Sequence, residues 1–345
     1  MKKNMYAIIA SVIILLIAVF IFMPSKKLPV ADSQINEGTI RIAMQYSMYY
    51  APLYVMQEMG ILEKYIPNVK AEWSVLGSGS PMNEALAADR LDIAFMGLGP
   101  ALIGWDKGVV KIMSSLCVAP TSLQVKNPAI KTLADFKPSD KIALPNIGSI
   151  QHILLSLACA KQLGNPKALD NNLVSMTHPD GALAMISGSD ISAHLTAMPY
   201  IVQEVNSGAR TILTAKEALG GDCSIIVSVC TEKFRKDKPL MYAAFMSALS
   251  DAMTLINKRD PEAIKIIASH EKITPEQAIE YLDWEGTNYT TTLYGVIKIA
   301  NHMAKSGYIS KTPKSVYELT WEGASASIGR RSGEKSILEQ AQEIK

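Results

Sequence analysis

TIRIAMQYSMYYAPLYVMQEMGILEKY (39–65), followed by VKAEWSVLGSGSPMNEALAADRLDIAFMG (69–97), is the stretch whose reading decides the fold. TIRIAMQ (39–45) alternates apolar and polar residues and is rich in β-branched side chains, so it predicts a half-buried strand. PLYVMQEMGILEKY (52–65) has helical apolar spacing, with proline at its start and Gly60 near a stop. VKAEWSVL (69–76) is a second strand, PMNEALAADR (81–90) a short helix opened by proline, and LDIAFMG (91–97) a continuous apolar strand of the buried kind. Helix PALIGWDKG (100–108) and strand VKIMSSLCV (110–118) continue the series. Repeated strand–helix–strand units imply right-handed crossovers and a mainly parallel sheet covered on both faces.

The same grammar restarts downstream. TSLQVK (121–126), KIALP (141–145), NLVSMTH (172–178) and DISAHLTAM (190–198) read as strands, separated by a short helix and turn at 132–140, a long helix at 149–164 and a helix at 180–188. TILTA (211–215) and SIIVSVCT (224–231) are further strands, and helices at 239–259, 261–271, 274–284 and 293–307 follow. Two sheets in succession and a helical return predict two α/β lobes, with the chain crossing between them near 119–121 and 217–224. The expected division is 38–119 and 218–322 for the first lobe, 120–217 for the second, and a polar tail over 323–345.

Upstream lies MYAIIASVIILLIAVFIFM (5–23), an uncharged run flanked by Lys2, Lys3, Lys26 and Lys27. About 18 apolar residues suffice for a bilayer-spanning helix, whereas a cleavable signal core has about 7–15. Residues 1–24 therefore read as an export signal that either stays as an uncleaved anchor, the favoured reading, or is cleaved to release the body, to which a polar linker over 25–37 joins it. Cleavage cues are poor, since Pro24 follows the run directly and Pro29 precedes Val30-Ala31. No cysteine precedes Cys117, which removes the lipoprotein route. Lysines on both sides leave the orientation open, but the short N-terminal tail makes the body the part to be exported. The four lysines also account for the charge: the chain totals +2 and the remainder carries −2. Such a balance argues against a nucleic-acid binder, which normally carries a strongly basic face.

Catalytic templates fail. The chain has no G-x-S-x-G elbow, H-E-x-x-H, G-x-x-x-x-G-K-[ST] or C-x-x-C. His152, His178, His194, His270 and His302 lack metal-ligand spacing, and Cys117, Cys159, Cys223 and Cys230 sit in apolar segments as buried thiols, with a disulfide left open for an exported body. What recurs is a strand end, small residues and a helix start: Gly77-Ser78-Gly79-Ser80-Pro81, Gly97-Leu98-Gly99-Pro100 and Asn146-Ile147-Gly148-Ser149. Glycine permits close approach of backbone to a ligand, serine supplies a short hydrogen bond, and first-turn N–H groups suit an anion. Open α/β sheets bind ligands at these carboxyl ends of strands.

TIRIAMQYSMYYAPLYVMQEMGILEKY, GSGSPMNEALAADRLDIAFMGLGPAL, IALPNIGSIQHILLSLA and ISGSDISAHLTAMPY, in that order and spacing, resemble the periplasmic solute-binding proteins of the nitrate, sulfonate, taurine and thiamine-precursor group, which serve ABC importers. The likeness runs from about residue 38 to 320. It implies a type II periplasmic-binding-protein fold, two lobes joined by a two-strand hinge, with the ligand between them. It also implies a monomer that delivers a small molecule to an ABC permease, with no cofactor, no metal, no nucleic acid and no bond made or broken. Carried onto matching positions, it implicates Gln45, Ser47, Tyr49 and Tyr50 after the first strand, Ser78, Gly79 and Ser80, and Gly97 and Leu98. In the second lobe it implicates Asn146, Gly148, Ser149, Gln151 and His194.

Met198-Pro199-Tyr200 departs from the group, which often has an acidic residue just before Pro-Tyr. Methionine offers no carboxylate to a ligand ammonium, which argues against taurine-like ligands. The candidate loops contain neither lysine nor arginine, so an anion there is held by N–H groups, hydroxyls, amides and a protonated His194. Tyr46, Tyr49 and Tyr50, with Met44 and Met48, offer walls for a flat or partly apolar ligand, although Met44 and at least one tyrosine read equally well as core. The expected ligand is thus sulfonate-like or heteroaromatic. Two rivals share the fold: a ligand-sensing ectodomain, and a pyrimidine-synthesising enzyme whose clustered cysteines this chain lacks.

Overall fold

The computed structural model describes residues 38–324. The apolar run, the linker and most of the polar tail lie outside the described residues. Among the described residues eleven strands form two sheets. The first contains β1 (Gly38–Met44), β2 (Val69–Val75), β3 (Ile93–Gly97), β4 (Lys111–Val118), β10 (Ser224–Cys230) and β11 (Asn288–Tyr289). The second contains β5 (Thr121–Val125), β6 (Lys141–Leu144), β7 (Leu173–Ser175), β8 (Ile191–Ala197) and β9 (Arg210–Thr214).

The sheets are mixed, which corrects the expectation of mainly parallel ones. β1 pairs in parallel with β2 and β3, and β6 with β7 and β8, as crossover helices require. β10, however, inserts between β3 and β4 and runs antiparallel to both, because the chain re-enters the first sheet after finishing the second. β5 likewise lies antiparallel between β8 and β9. The resulting orders are β11-β4-β10-β3-β1-β2 and β7-β6-β8-β5-β9. Every residue of β3 and β10 is buried, as central strands covered on both faces must be.

Helices differ from expectation where local signals are weak. The stretch 52–65 forms two helices, Ala51–Glu58 and Ile61–Tyr65, because Gly60 takes a left-handed conformation between them. Only a 3₁₀ turn at Leu133–Asp135, closed by a Thr132/Asp135 capping box, occupies the region 132–140. Short helices at Tyr200–Asn206 and Ala215–Leu219 were not predicted. Among the described residues one helix, Pro239–Asn257, is long and apolar enough to cross a membrane; it is mostly buried and packs on Ala51–Glu58 as a core helix. Asp92, buried at the start of β3, accepts hydrogen bonds from the Arg41 backbone (2.8 Å) and guanidinium (2.9 Å) and from Lys238 (3.3 Å). It thereby ties β1, β3 and the returning helix together.

The chain passes between sheets at Ala119-Pro120 and again between β9 and β10. Near the first crossing the loop after β1 is fastened to the second sheet. Ser47 Oγ donates to the Met198 carbonyl (2.9 Å), the Met198 N–H donates to Tyr49 Oη (3.1 Å), and Tyr49 Oη donates to the Pro120 carbonyl. Tyr289 Oη donates to the Met48 carbonyl (2.6 Å) from the other side. The four cysteines are unpaired and buried, and burial raises the Cys117, Cys159, Cys223 and Cys230 thiols well above their ordinary range.

Candidate ligand-binding site

Four helices begin around one small cavity between the two sheets: Gly79–Ala87 and Leu98–Asp106 from the first, Ile150–Gln162 and His178–Ser187 from the second. Gly79, Gly97, Ser149, Ile150 and His178, at or beside those starts, line the cavity. Each helix brings N–H donors without intrahelical partners and the positive end of its dipole. No lining residue is lysine, arginine, aspartate or glutamate. Backbone dipoles, hydroxyls, three amides and one imidazole therefore set the polarity of the space.

Of the residues implicated from sequence, Gln45, Ser47, Tyr49, Tyr50, Gly79, Gly97, Asn146, Ser149 and Gln151 line the cavity together. Their duties differ. Ser47 and Tyr49 are already committed to fastening the first loop, whereas the buried Tyr50 hydroxyl has no partner. Burial raises the Tyr49 and Tyr50 phenols well above their usual range, so both stay neutral donors. Ser149 caps its helix, accepting from the His152 N–H (3.2 Å). Ser149→Ala is expected to lower stability by about 1 kcal/mol, read as a lower urea midpoint with an unchanged m value.

Ser78, Ser80, Leu98, Gly148 and His194 are not among the lining residues. Ser80 is exposed and accepts from Asn146 Nδ2 (3.1 Å), a direct bond between the sheets' loops. Ser78 occupies the N-cap position without a side-chain bond, and Leu98 is wholly buried in the core. Gly148, with φ of +85°, donates its N–H to His152 Nδ1 (2.9 Å). His194 is wholly buried behind His178, which takes the cavity wall in its place. Burial lowers the proton affinity of both imidazoles far below the ordinary histidine value, so a resident protonated His194 is not how this site holds charge. Two lining residues stand outside the set the resemblance implicates, His178 and Tyr46. Tyr46 reads from sequence only as an aromatic wall, and His178 carries a single cue, its place at a strand-to-helix turn like the other three.

The glycines also let the loops of the two sheets meet. A Cβ at Gly99 would stand 2.5 Å from the Gly148 carbonyl oxygen and 3.0 Å from the Ile150 nitrogen, both backbone atoms of the opposite lobe. At Gly97 it would stand 2.9 Å from Ile150 Cγ2. The loops touch because these residues have no side chain, and the space left is about 20 Å³, room for one water. Among the described residues no three metal-ligating side chains converge.

No curated protein matches the chain. Solved structures do. The alkanesulfonate-binding protein SsuA from Xanthomonas axonopodis pv. citri, bound to MOPS, is 21% identical with a TM-score of 0.68, covering 84% of this chain and 99% of its own. The periplasmic nitrate-binding protein NrtA from Synechocystis PCC 6803 is 15% identical with a TM-score of 0.65, covering 90% and 89%. The Candida albicans CA3427 gene product, which exhibits the generic periplasmic binding protein fold, is 15% identical with a TM-score of 0.65, covering 85% and 97%. At these identities the likeness establishes the two-lobed periplasmic-binding-protein fold. Sequence similarity to the NMT1-like family extends over residues 33–270, and the chain belongs to that family.

Proposed function

We propose that this protein is the exported solute-binding component of an ABC uptake system, capturing a small sulfonate-like anion or a heteroaromatic, pyrimidine-type molecule between its lobes and delivering it to a permease. The observation that carries the reading is the convergence of four helix N-termini on a cavity without a charged side chain. Such a site neutralises a small anion by backbone donors, and its tyrosines accept a flat ring. The structural neighbours that bind alkanesulfonate and nitrate support the anion class.

The arrangement is that of closed lobes. A sulfonate or a pyrimidine exceeds the space of about 20 Å³, so entry requires the loops around Gly99 and Gly148 to part and then settle on the ligand. Binding energy is thereby coupled to lobe angle, and the permease reads the closed form. The moving units we propose are 38–119 with 218–322, and 120–217, swinging about the two crossings as a monomer. The segment 1–24 supplies the export address and a tether, and the chain makes or breaks no bond.

Thermal-shift screening of the full-length protein against sulfonates, nitrate, hydroxymethylpyrimidine-like and riboflavin-like compounds tests this. A true ligand at a hundred times its Kd stabilises by about 2.7 kcal/mol, several degrees of Tm. A flat response across the panel, or turnover of any member, overturns the carrier reading.

A further inference from the structure

Behind the cavity wall runs a line of three buried ionisable side chains that the binding site, as described, does not use. His178 lines the cavity, its Nε2 3.2 Å from Gln151 Nε2. Its Nδ1 lies 3.4 Å from His194 Nε2, and His194 Nδ1 lies 2.6 Å from Glu204 Oε1. His194 and Glu204 are wholly buried. The line is built by packing, since the helices His178–Ser187 and Tyr200–Asn206 meet over β8. Gly181 makes room for it: a Cβ there would stand 2.8 Å from His194 Nε2.

Glu204 Oε2 is buried and has no hydrogen-bond partner. A carboxylate with one oxygen orphaned in a dry interior is costly, whereas a carboxylic acid that donates through Oε1 leaves only a weak acceptor unpaired. Burial acts the same way, raising the proton affinity of Glu204 and lowering that of both histidines. The hydrogen bonds then have one direction. Glu204 Oε1–H donates to His194 Nδ1, His194 Nε2–H donates to His178 Nδ1, and His178 Nε2–H faces the cavity, an arrangement that requires the Gln151 carboxamide to turn its oxygen, in place of Nε2, toward His178.

We propose that His178, His194 and Glu204 form a proton relay that charges the cavity wall on demand, so that the site selects fully ionised oxyanions such as sulfonates. This rests on the anion reading above. When an anion sits against His178, the Glu204 O–H bond breaks and a His194 Nδ1–H bond forms, while the His194 Nε2–H bond breaks and a His178 Nδ1–H bond forms. The result is a Glu204 carboxylate, a neutral His194 and a His178 imidazolium donating Nε2–H to the anion. No proton is exchanged with solvent. The relay explains how a cavity with neither lysine nor arginine provides a full positive charge only when an anion is present.

Other ionisable groups surround the relay. Tyr200, from the helix carrying Glu204, stacks on the His178 ring with centroids 6.0 Å apart. Tyr46 from the first lobe's loop, Asp180 from the His178 helix and Glu271 from the helix Pro261–Glu271 all lie close enough to act on the Tyr200 hydroxyl. Asp180 is held by the Thr177 hydroxyl at 2.5 Å. Burial raises Tyr200 and Glu271 above their ordinary ranges, so both are neutral at pH 7.

The test uses the full-length protein with ethanesulfonate as probe. Affinity is expected to be flat from pH 6 to 8 and to fall about tenfold per pH unit once Glu204 ionises. Glu204→Gln, which cannot supply the proton, should weaken binding at least about tenfold and abolish the alkaline fall. Histidine ¹⁵N shifts should show His178 neutral in the free protein and doubly protonated in the complex, a readout that needs no variant. A His178 that stays neutral in the complex, or an alkaline fall that persists in Glu204→Gln, overturns the relay. Should ethanesulfonate not bind, the sulfonate reading fails, and the Glu204 carboxyl ¹³C shift in the free protein decides the relay separately. An acid at pH 7 supports it and a carboxylate overturns it.

Discussion

Gly99→Leu is expected to reduce ligand affinity about a hundredfold or more while leaving the protein folded. The reason is geometric. A Cβ at this position would come within 2.5 Å of the Gly148 carbonyl oxygen, and the Ser149 carbonyl carbon and Ile150 nitrogen lie at 2.9 and 3.0 Å. All are backbone atoms at the start of the opposite lobe's helix, so no rotamer change relieves the overlap. The clash falls between lobes, and each sheet keeps its own core. Overpacking costs about 1–3 kcal/mol where side chains can adjust, and rigid backbone places this case at the upper end. Since about 2.7 kcal/mol is a factor of a hundred, the closed arrangement becomes a minor state and apparent affinity falls by the fraction that remains. Calorimetry with whichever compound the thermal screen identifies, together with a radius of gyration from solution scattering, checks this. Wild-type affinity and an unchanged radius would show that the loops do not close in this way.

Lowering the pH from 6 to 4.5 is expected to cost about 2 kcal/mol of folding stability. His178 and His302 are neutral in the fold, held well below their ordinary value chiefly by burial, His302 down to about 4. In the unfolded chain each takes up a proton below about pH 6.5. A base with a lowered folded pKa contributes stability present above its unfolded pKa and lost as the pH falls, so both lose stability over this window, and burial of His152 acts in the same direction. Glu271 opposes them: burial raises it to about 8, so it is an acid in the fold and ionised in the unfolded chain until about pH 4.3. His194 and Glu204 cancel, because the pair holds one proton in the fold and one, on the histidine, when unfolded. Two histidines against one glutamate leave about one proton taken up on unfolding, a slope near 1.4 kcal/mol per pH unit. Urea midpoints across this range measure the slope, and His302→Gln should remove about one proton of it. A flat or rising profile would mean that these imidazoles are charged in the native state.

The strand-to-helix punctuation of the binding lobes was legible from residues alone. Pro52, Pro81 and Ser149 sit where helices begin, and β3 reads as a buried strand because every position in it is small or apolar. The three glycine- and serine-rich turns were recognisable as a set, and members of each line the cavity: Gly79, Gly97, and Asn146 with Ser149. What local pattern did not show was a second duty of the small residues. Gly99 answers a backbone from the opposite lobe, some fifty residues distant, and no local pattern records such a contact.

His178 and Glu204 show the limit most clearly. Each is an isolated polar residue in an unremarkable context, with no spacing that marks a site. They become a line only because two helices meet over β8 with Gly181 at the contact. Sequence by itself determined the α/β class, the two successive sheets, the loops that carry the cavity and the uneven charge, because these follow from periodicity and turn chemistry within a few residues. Only the tertiary structure decided that β10 inserts antiparallel between β3 and β4, that Ser47 and Tyr49 fasten the crossing, and that His178 rather than His194 faces the ligand space. Those outcomes depend on contacts between residues scores of positions apart, where burial and packing select a partner that local propensity cannot specify.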